Sequence, residues 1–299
     1  MQRSFCSTLT LAAAGFVIAV APLTAQRDFS NVQVEATHVA GGVYMLTGSG
    51  GNVGLSVGED GPFIVDDQFA GLTDKILAAI ASVTDGSVRF VLNTHWHGDH
   101  TGGNENLGKA GAMIVAHENV RKRLNPAEFQ EEMERSQQAP PDALPVVTFT
   151  DVVSFYWNGE KIKAFHVEHA HTDGDAIIHF ANANVFHMGD TFFNGSFPFI
   201  DVASGGNING LIHAADQVLG MTNSDTQIIP GHGPLGKPAD LRNYRDMLIT
   251  LRDRIRTMVN DGMSIDQIVA ADPTSDLAGS WTGNAERTIR AAAQNLGAR

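Results

Sequence analysis

The chain has 299 residues, 43% of them hydrophobic and 18% charged, and carries a formal net charge of −13. That composition is ordinary for a globular protein with a sizeable core, and the length fits one two-layer α/β domain. The acidity argues against a nucleic-acid partner, whose binding rests on neutralising phosphates, and a single cysteine, Cys6, excludes a disulfide framework.

The chain opens with Arg3, an apolar run LTLAAAGFVIAV (9–20) and the small-residue exit APLTAQ (21–26). This is the pattern of a secretory signal peptide over 1–25, cut after Ala25. A spanning helix needs nearer 20 apolar residues. Export to the periplasm or beyond is therefore expected, with no stable membrane insertion after cleavage and residues 26–299 as a single domain. Cleavage would also remove Cys6, and with it any cysteine metal ligand.

Short strand-like stretches follow at 32–39, 43–48, 52–58 and 62–67, separated by Gly-rich turns. Leu72, Ile76, Leu77 and Ile80 predict a helix over 71–83. SVRFVLNT (87–94) is a buried strand that ends on THWHGDHTGG (94–103). A short helix at 104–109 leads to the strand AMIVAH (112–117), and a charged helical segment over 117–138 is split by Pro126. Strands resume at 146–149, 152–157, 161–167, 176–180 and 184–190, and a helix at 208–221 precedes TQIIPGHG (226–233). Helices fill 238–260, 264–271 and 283–297. Two strand-rich halves, each flanked by helices, predict two sheets packed face to face with helices outside.

The chemistry concentrates in His95, His97, Asp99 and His100, four ligand-type side chains in six positions on a loop just past a strand. There α/β sheets keep their reactive groups. With a tight turn at Gly98, the i, i+2 histidines can face one metal and the Asp-His pair another; imidazole and carboxylate both suit zinc. Candidates to complete such a centre are HAHTDGD (169–175), HMGD (187–190) and PGHG (230–233), each ending a strand-like run beside glycine.

The order H-x-H-x-D-H, H-T-x-G-D, G-D, G-H-G over roughly 35–235 resembles the metallo-β-lactamase fold superfamily. The resemblance implies a four-layer αββα sandwich with its metal site at one edge between the sheets. It implies two Zn²⁺ per chain. His95, His97 and His171 would hold the first, Asp99, His100 and His232 the second, and Asp190 would bridge them. Asp66, at the end of PFIVDD, would brace the metal loop, and Asp175 would orient the loop carrying His171. The implied reaction is hydrolysis of a small-molecule carbonyl compound (a β-lactam, lactone or ester) by metal-bound hydroxide oriented by Asp99. The alternative is a non-catalytic periplasmic metal-binding or accessory protein that keeps the same site.

Trp96, His117, Phe193, Asn194 and Asn207 are candidate pocket residues, although Trp96 is as readily packing beneath the loop and Asn207 a helix N-cap. His166, His169, His179, His187 and His213 read as surface or satisfied core residues. From Ala164 to Gly236 there is no Lys or Arg. This weighs against an anchored drug carboxylate, as does Asp190 where the best-known β-lactamases carry cysteine, and it weighs against phosphodiester substrates. The signal peptide argues against glyoxalase II-type thioester hydrolysis, and the intact second ligand set against persulfide-oxidising relatives. Phe192, Phe193, Phe197 and Phe199 could lie beside an acyl chain or simply pack.

Overall fold

The computed structural model describes residues 27–129, 133, 135–277 and 279–298, so the signal peptide expected over 1–25, and Cys6 with it, lies outside the described residues. The chain divides into two units, Met1–Asn31 and Val32–Arg299. In the first, Ser30 N–H donates to Asp28 Oδ1 over 2.9 Å.

Among the described residues, seven strands form one sheet in simple chain order: β1 (Glu35–Ala40), β2 (Val43–Thr47), β3 (Val53–Ser56), β4 (Phe63–Val65), β5 (Phe90–Leu92), β6 (Met113–His117) and β7 (Val147–Phe149). The first four are antiparallel neighbours joined by Gly turns, and β4 to β7 run parallel. The second sheet has the order β12-β11-β10-β9-β8, built from β8 (Val152–Trp157), β9 (Glu160–His166), β10 (Ala176–Phe180), β11 (Val185–His187) and β12 (Gln227–Ile229).

Period-two patterning packs the two sheets. On β10, Ile178 and Phe180 face the first sheet, meeting Phe63, Val65, Leu92 and Val115, while Ile177 turns outward. At about 1.5–3 kcal/mol for each large apolar side chain removed from water, this interlayer is a principal source of stability. The outer face of the second sheet is covered by α6 (Ile208–Leu219), α7 (Pro238–Asn260) and α9 (Ala285–Asn295), which bury Leu211, Leu248, Leu251 and Ile289 against Phe186 and Ile228. The shorter helices are α1 (Thr73–Ala81), α2 (Gly98–Thr101), α3 (Asn104–Lys109), α4 (Glu118–Leu124), α5 (Pro126–Phe129) and α8 (Ile265–Ala271). The architecture is the expected αββα sandwich.

Three expectations were too generous. The first strand starts at Glu35 rather than 32, and the strand predicted over 87–94 is ladder-paired only at Phe90–Leu92. Past Leu92, Asn93 N–H still bonds Val115 C=O at 2.9 Å, but Thr94 N–H is taken by the Asp66 carboxylate at 2.7 Å, which turns the chain off the ladder. Among the described residues of the segment 117–138, helix is found in α4 and α5, and residues 135–140 are not helical.

Parallel pairing decides where the chemistry gathers. β4 and β5 end at the same edge, β11 and β12 end there too, and β10, antiparallel to β11, begins there. Asp66, the 94–100 loop, His171, Asp190 and His232 all leave or enter strands at that edge.

Candidate metal centre

Every ligand-type residue anticipated from sequence arrives in two touching groups. His95, His97, His171 and Asp190 form one, and Asp99, His100 and His232 the other. In the first group three ring nitrogens face one another: His97 Nδ1 is 3.1 Å from His95 Nε2 and 2.9 Å from His171 Nε2. Three imidazole lone pairs converging at this range repel unless a cation lies among them. Asp190 sits between the groups. Its Oδ2 is 3.4 Å from His171 Nε2, while its Oδ1 is 3.1 Å from His100 Nε2 and 3.3 Å from His232 Nε2. Asp99 Oδ2 closes the second group 3.4 Å from His232 Nε2.

His100 Nε2 and Asp190 Oδ1 are buried without a hydrogen-bond partner. An unpaired buried polar atom is costly, and here two of them belong to the predicted ligand set. Donor set, convergence and orphaned atoms all fit divalent metal ions.

The supports explain how the rings hold this arrangement. Asp66, fully buried with φ of 64°, accepts from Thr94 N–H (2.7 Å), Thr94 Oγ1 (2.8 Å) and His100 Nδ1 (2.7 Å). Fixing the far nitrogen leaves His100 Nε2 to face the centre. Asp175 Oδ2 accepts from His171 N–H (2.6 Å) and Thr172 N–H (2.8 Å), which sets the loop that presents His171. Burial pushes Asp175 up to about 7, against these hydrogen bonds. Two glycines permit close approach. A Cβ on Gly51 would lie 2.1 Å from His100 Cε1, and one on Gly231 2.1 Å from Asp190 Oδ1.

The groups differ electrostatically. Burial, then the neighbouring histidines, holds His95 well below the usual imidazole value, and burial takes His171 to about 4. In the second group burial is overridden by carboxylates: Asp190, Asp66 and Asp99 hold His100 well above its usual value, and Asp190 and Asp99 raise His232 to about 9. Against its own burial, Asp99 is brought to about 2 by His100 and His232.

Sequence reasoning missed the segment Phe199–Ser204. Phe199 C=O accepts from His171 Nδ1 (2.7 Å), and Asp201 Oδ2 accepts from His97 Nε2 (2.8 Å) and Ser204 Oγ (2.7 Å). Asp201 N–H also donates to the His171 carbonyl at 3.0 Å. One short segment thus fastens two of the three histidines in the first group. The available signal was an acid inside the apolar run FPFIDV, since a buried carboxylate needs partners.

The candidate pocket residues separate. Phe193 stacks on His232 with ring centroids 5.3 Å apart. Trp96 is packed with Ala116, Val120, Leu124 and Leu144 beneath the metal loop, with only its edge toward a hollow of about 420 Å³ shared with His97 and Arg135. His117 is committed elsewhere: its ring stacks on His166 at 3.8 Å, its Nε2 meets Thr150 C=O and its Nδ1 accepts from Asn119 N–H as the cap of α4. Asn194 is tied to Pro234 C=O, and Asn207 caps α6. His169 is exposed and bonded to Gly205 C=O, and His187 is buried on Asn52 C=O. Phe192 and Phe197 are core, whereas Phe199 lies over His97 at 5.7 Å.

The absence of cations between Ala164 and Gly236 does not carry over into space. Arg135 Nη1 reaches Asp201 at 2.8 Å, and Arg135 and Arg287 both lie over the Phe199 ring, at 5.9 and 4.4 Å. Cations reach the ligand wall from segments far away in sequence.

With this geometry the family can be stated. Residues 46–256 match the metallo-beta-lactamase superfamily model, and the chain belongs to that superfamily. It is 29% identical over 160 residues to a hydroxyacylglutathione hydrolase of Polaromonas sp., covering 53% of each chain. It is also 29% identical over 148 residues to the enzyme of the same name from Nitrosococcus oceani. The chain spans about half the length of the curated relatives it matches. A metallo-beta-lactamase from Pontibacter korlensis superposes with a TM-score of 0.60 at 18% identity, over 72% of this chain and 99% of that one. DIM-1 metallo-beta-lactamase gives the same TM-score and identity over 73% of this chain. At that identity the likeness is one of fold. No helix among the described residues is long and apolar enough to cross a membrane.

Proposed function

We propose that the chain is an exported dinuclear zinc hydrolase, with residues 26–299 as its catalytic domain, that cleaves a carbonyl compound of the β-lactam, lactone or ester class. The observation that carries this reading is the pair of ligand groups meeting at Asp190, with His100 Nε2 and Asp190 Oδ1 buried 3.1 Å apart and neither making a hydrogen bond. His95, His97 and His171 would hold one ion, Asp99, His100 and His232 the other, and Asp190 would touch both. Zinc, when bound, polarises a carbonyl oxygen and brings the pKa of water toward neutrality.

The protein's own residues then have separable tasks. Asp99, 28% exposed at the open side, stays ionised and can accept a hydrogen bond from the attacking water, aiming it at the carbonyl carbon. Phe193 and Phe199 present apolar surface beside the histidines and limit how much water reaches them. The hydroxyacylglutathione hydrolase relatives support adding thioesters to the carbonyl class, a substrate the sequence reading placed lower.

The test is the purified chain, assayed for zinc and for turnover of a chromogenic cephalosporin, an acyl-homoserine lactone, a p-nitrophenyl ester and a glutathione thioester. Two zinc ions per chain and hydrolysis of at least one probe are expected, and His95→Ala with His97→Ala should remove both together. Hydrolysis that persists in metal-free protein would overturn the mechanism. Two bound ions with no turnover would favour the non-catalytic alternative.

A further inference from the structure

We infer that a hollow between the first half of α7 and the loops carrying Gly195 and Trp281 is a binding site for a neutral sugar. It encloses about 480 Å³, a size usual for small-molecule sites. None of its lining residues belongs to either ligand group, so the site does not depend on the hydrolase reading. The two places are tied through backbone: Asn194 N–H donates to His232 C=O over 2.9 Å.

The walls of the hollow are fastened. Thr282 N–H and Oγ1 both donate to Gly195 C=O, at 3.0 and 3.1 Å, and Phe197 N–H donates to Thr282 C=O at 2.9 Å. The Trp281 indole, half-buried, leans on the core rings of Tyr244 and Phe197 with centroids 6.1 and 6.5 Å away. Met247 and Leu277 add apolar surface beside it. Opposite, Asp240, Asn243, Asp246 and Thr250 recur along one side of α7, over about 15 Å of helix. An aromatic and apolar face set against a row of hydrogen-bonding groups matches a pyranose, which has C–H faces and a hydroxyl rim.

The state of the polar groups selects among ligands. Two carboxylates line the hollow and its only cationic neighbour is turned away, Arg245 being held by Asp216 and Asp246 at 2.9 and 2.7 Å. That disfavours an anion. An organic cation is served little better. One oxygen of Asp240 accepts Lys237 N–H at the start of α7, Asp246 is offset by Arg245, and a single aromatic ring lines the site where an ammonium calls for a cage. Hydroxyl groups meet what is left uncommitted. Asn194 gives its Nδ2 to Pro234 C=O and keeps Oδ1, while among the described residues the side chains of Asn243 and Ser280 and the Trp281 indole N–H make no hydrogen bond.

The test titrates the full chain, labelled with nitrogen-15, with glucose, N-acetylglucosamine, cellobiose and chitobiose; sorbitol, choline and adenosine serve as controls. At least one sugar should shift the Trp281 indole N–H resonance saturably, with a dissociation constant of about a millimolar or tighter. That resonance is identified by its loss in Trp281→Phe. Asn243 and Ser280 are exposed, so alanine there leaves the fold intact. Asn243→Ala should weaken the sugar about three- to tenfold, read from the backbone signals of Gly195 and Thr282, and Ser280→Ala somewhat less. Trp281→Ala should weaken it about tenfold or more, with Trp281→Phe keeping part of the affinity. No shift with any sugar, an equal response to sorbitol, or tighter binding of choline or adenosine would overturn the inference. So would sugar binding unchanged in both Asn243→Ala and Trp281→Ala, which places the sugar elsewhere.

Discussion

The two halves of the candidate metal centre are built on opposite plans. In the first, burial lowers His95 and His171, and the far nitrogen of each of the three histidines has a fixed acceptor or hydroxyl: Thr94 Oγ1 for His95, Asp201 Oδ2 for His97 and Phe199 C=O for His171. In the second, carboxylates surround the histidines. Asp99 and His232 are 28% and 29% exposed, and only His100 has a buried brace. The closed, fastened half is suited to keeping an ion, and the open, charged half to meeting substrate. Rigidity and reactivity are thus divided between neighbouring ligand groups that share one aspartate.

The largest blow to this contrast would come at Asp66. Asp66→Ala leaves His100 Nδ1, Thr94 N–H and Thr94 Oγ1 without their acceptor in the core, a cost of about 3 kcal/mol in unfolding free energy. Chemical denaturation should show that loss, and, on the proposed two-ion reading, metal analysis should show the second ion depleted first. A variant that keeps both ions and its full stability would refute the bracing role.

Asp201→Ala acts on the other half. Freeing His97 Nε2 should weaken the zinc binding proposed for the first group by about 10–100-fold, with Asp201→Asn retaining most of the affinity because an amide oxygen still accepts. Competition against a chelator reads this directly. Equal loss from both groups would mean that the division drawn above is wrong.

The glycines give a finer comparison. Gly51→Ala places a methyl group on the His100 ring and should cost about 1–3 kcal/mol with loss of the second ion. Gly98→Ala, in the middle of the metal loop, meets nothing within 4 Å and should leave thermal stability and metal content unchanged.

The smallest expected effect lies away from the metals. Burial, then His166, lowers His117 to about 4, so the folded state holds it neutral while the unfolded chain protonates near 6.5. Its contribution is complete above pH 6.5 and is lost as pH falls toward 4. The stability difference between wild type and His117→Asn, followed by urea midpoints, should shrink across that window and be flat above it.

These contrasts also separate what was legible from what was not. The candidate ligands were legible because they lie within a few residues of strand ends, and coordination chemistry favours His and Asp at those spacings. Asp66 was legible for the same reason, standing at the end of a strand that pairs in parallel with the one bearing the metal loop. His117 was misleading. It too ends a strand at that edge, but its ring is spent on His166 and on capping α4, neither of which local spacing records. The cation-free stretch misled further, because charge along a chain says little about charge around a site.

The sequence by itself determined the two-sheet alternation, the positions of the ligand motifs and the residue types able to hold metal, since each follows from spacing along the backbone. Only the tertiary structure decided that Asp201 and the Phe199 carbonyl hold the rings of two of them, and that Arg135 and Arg287 stand at the same wall. Those contacts join segments 28 to 104 residues apart in the hydrogen bonds to His171 and His97. They depend on how the helical layer and the loops pack over the second sheet, and burial and hydrogen-bond geometry are fixed at that level.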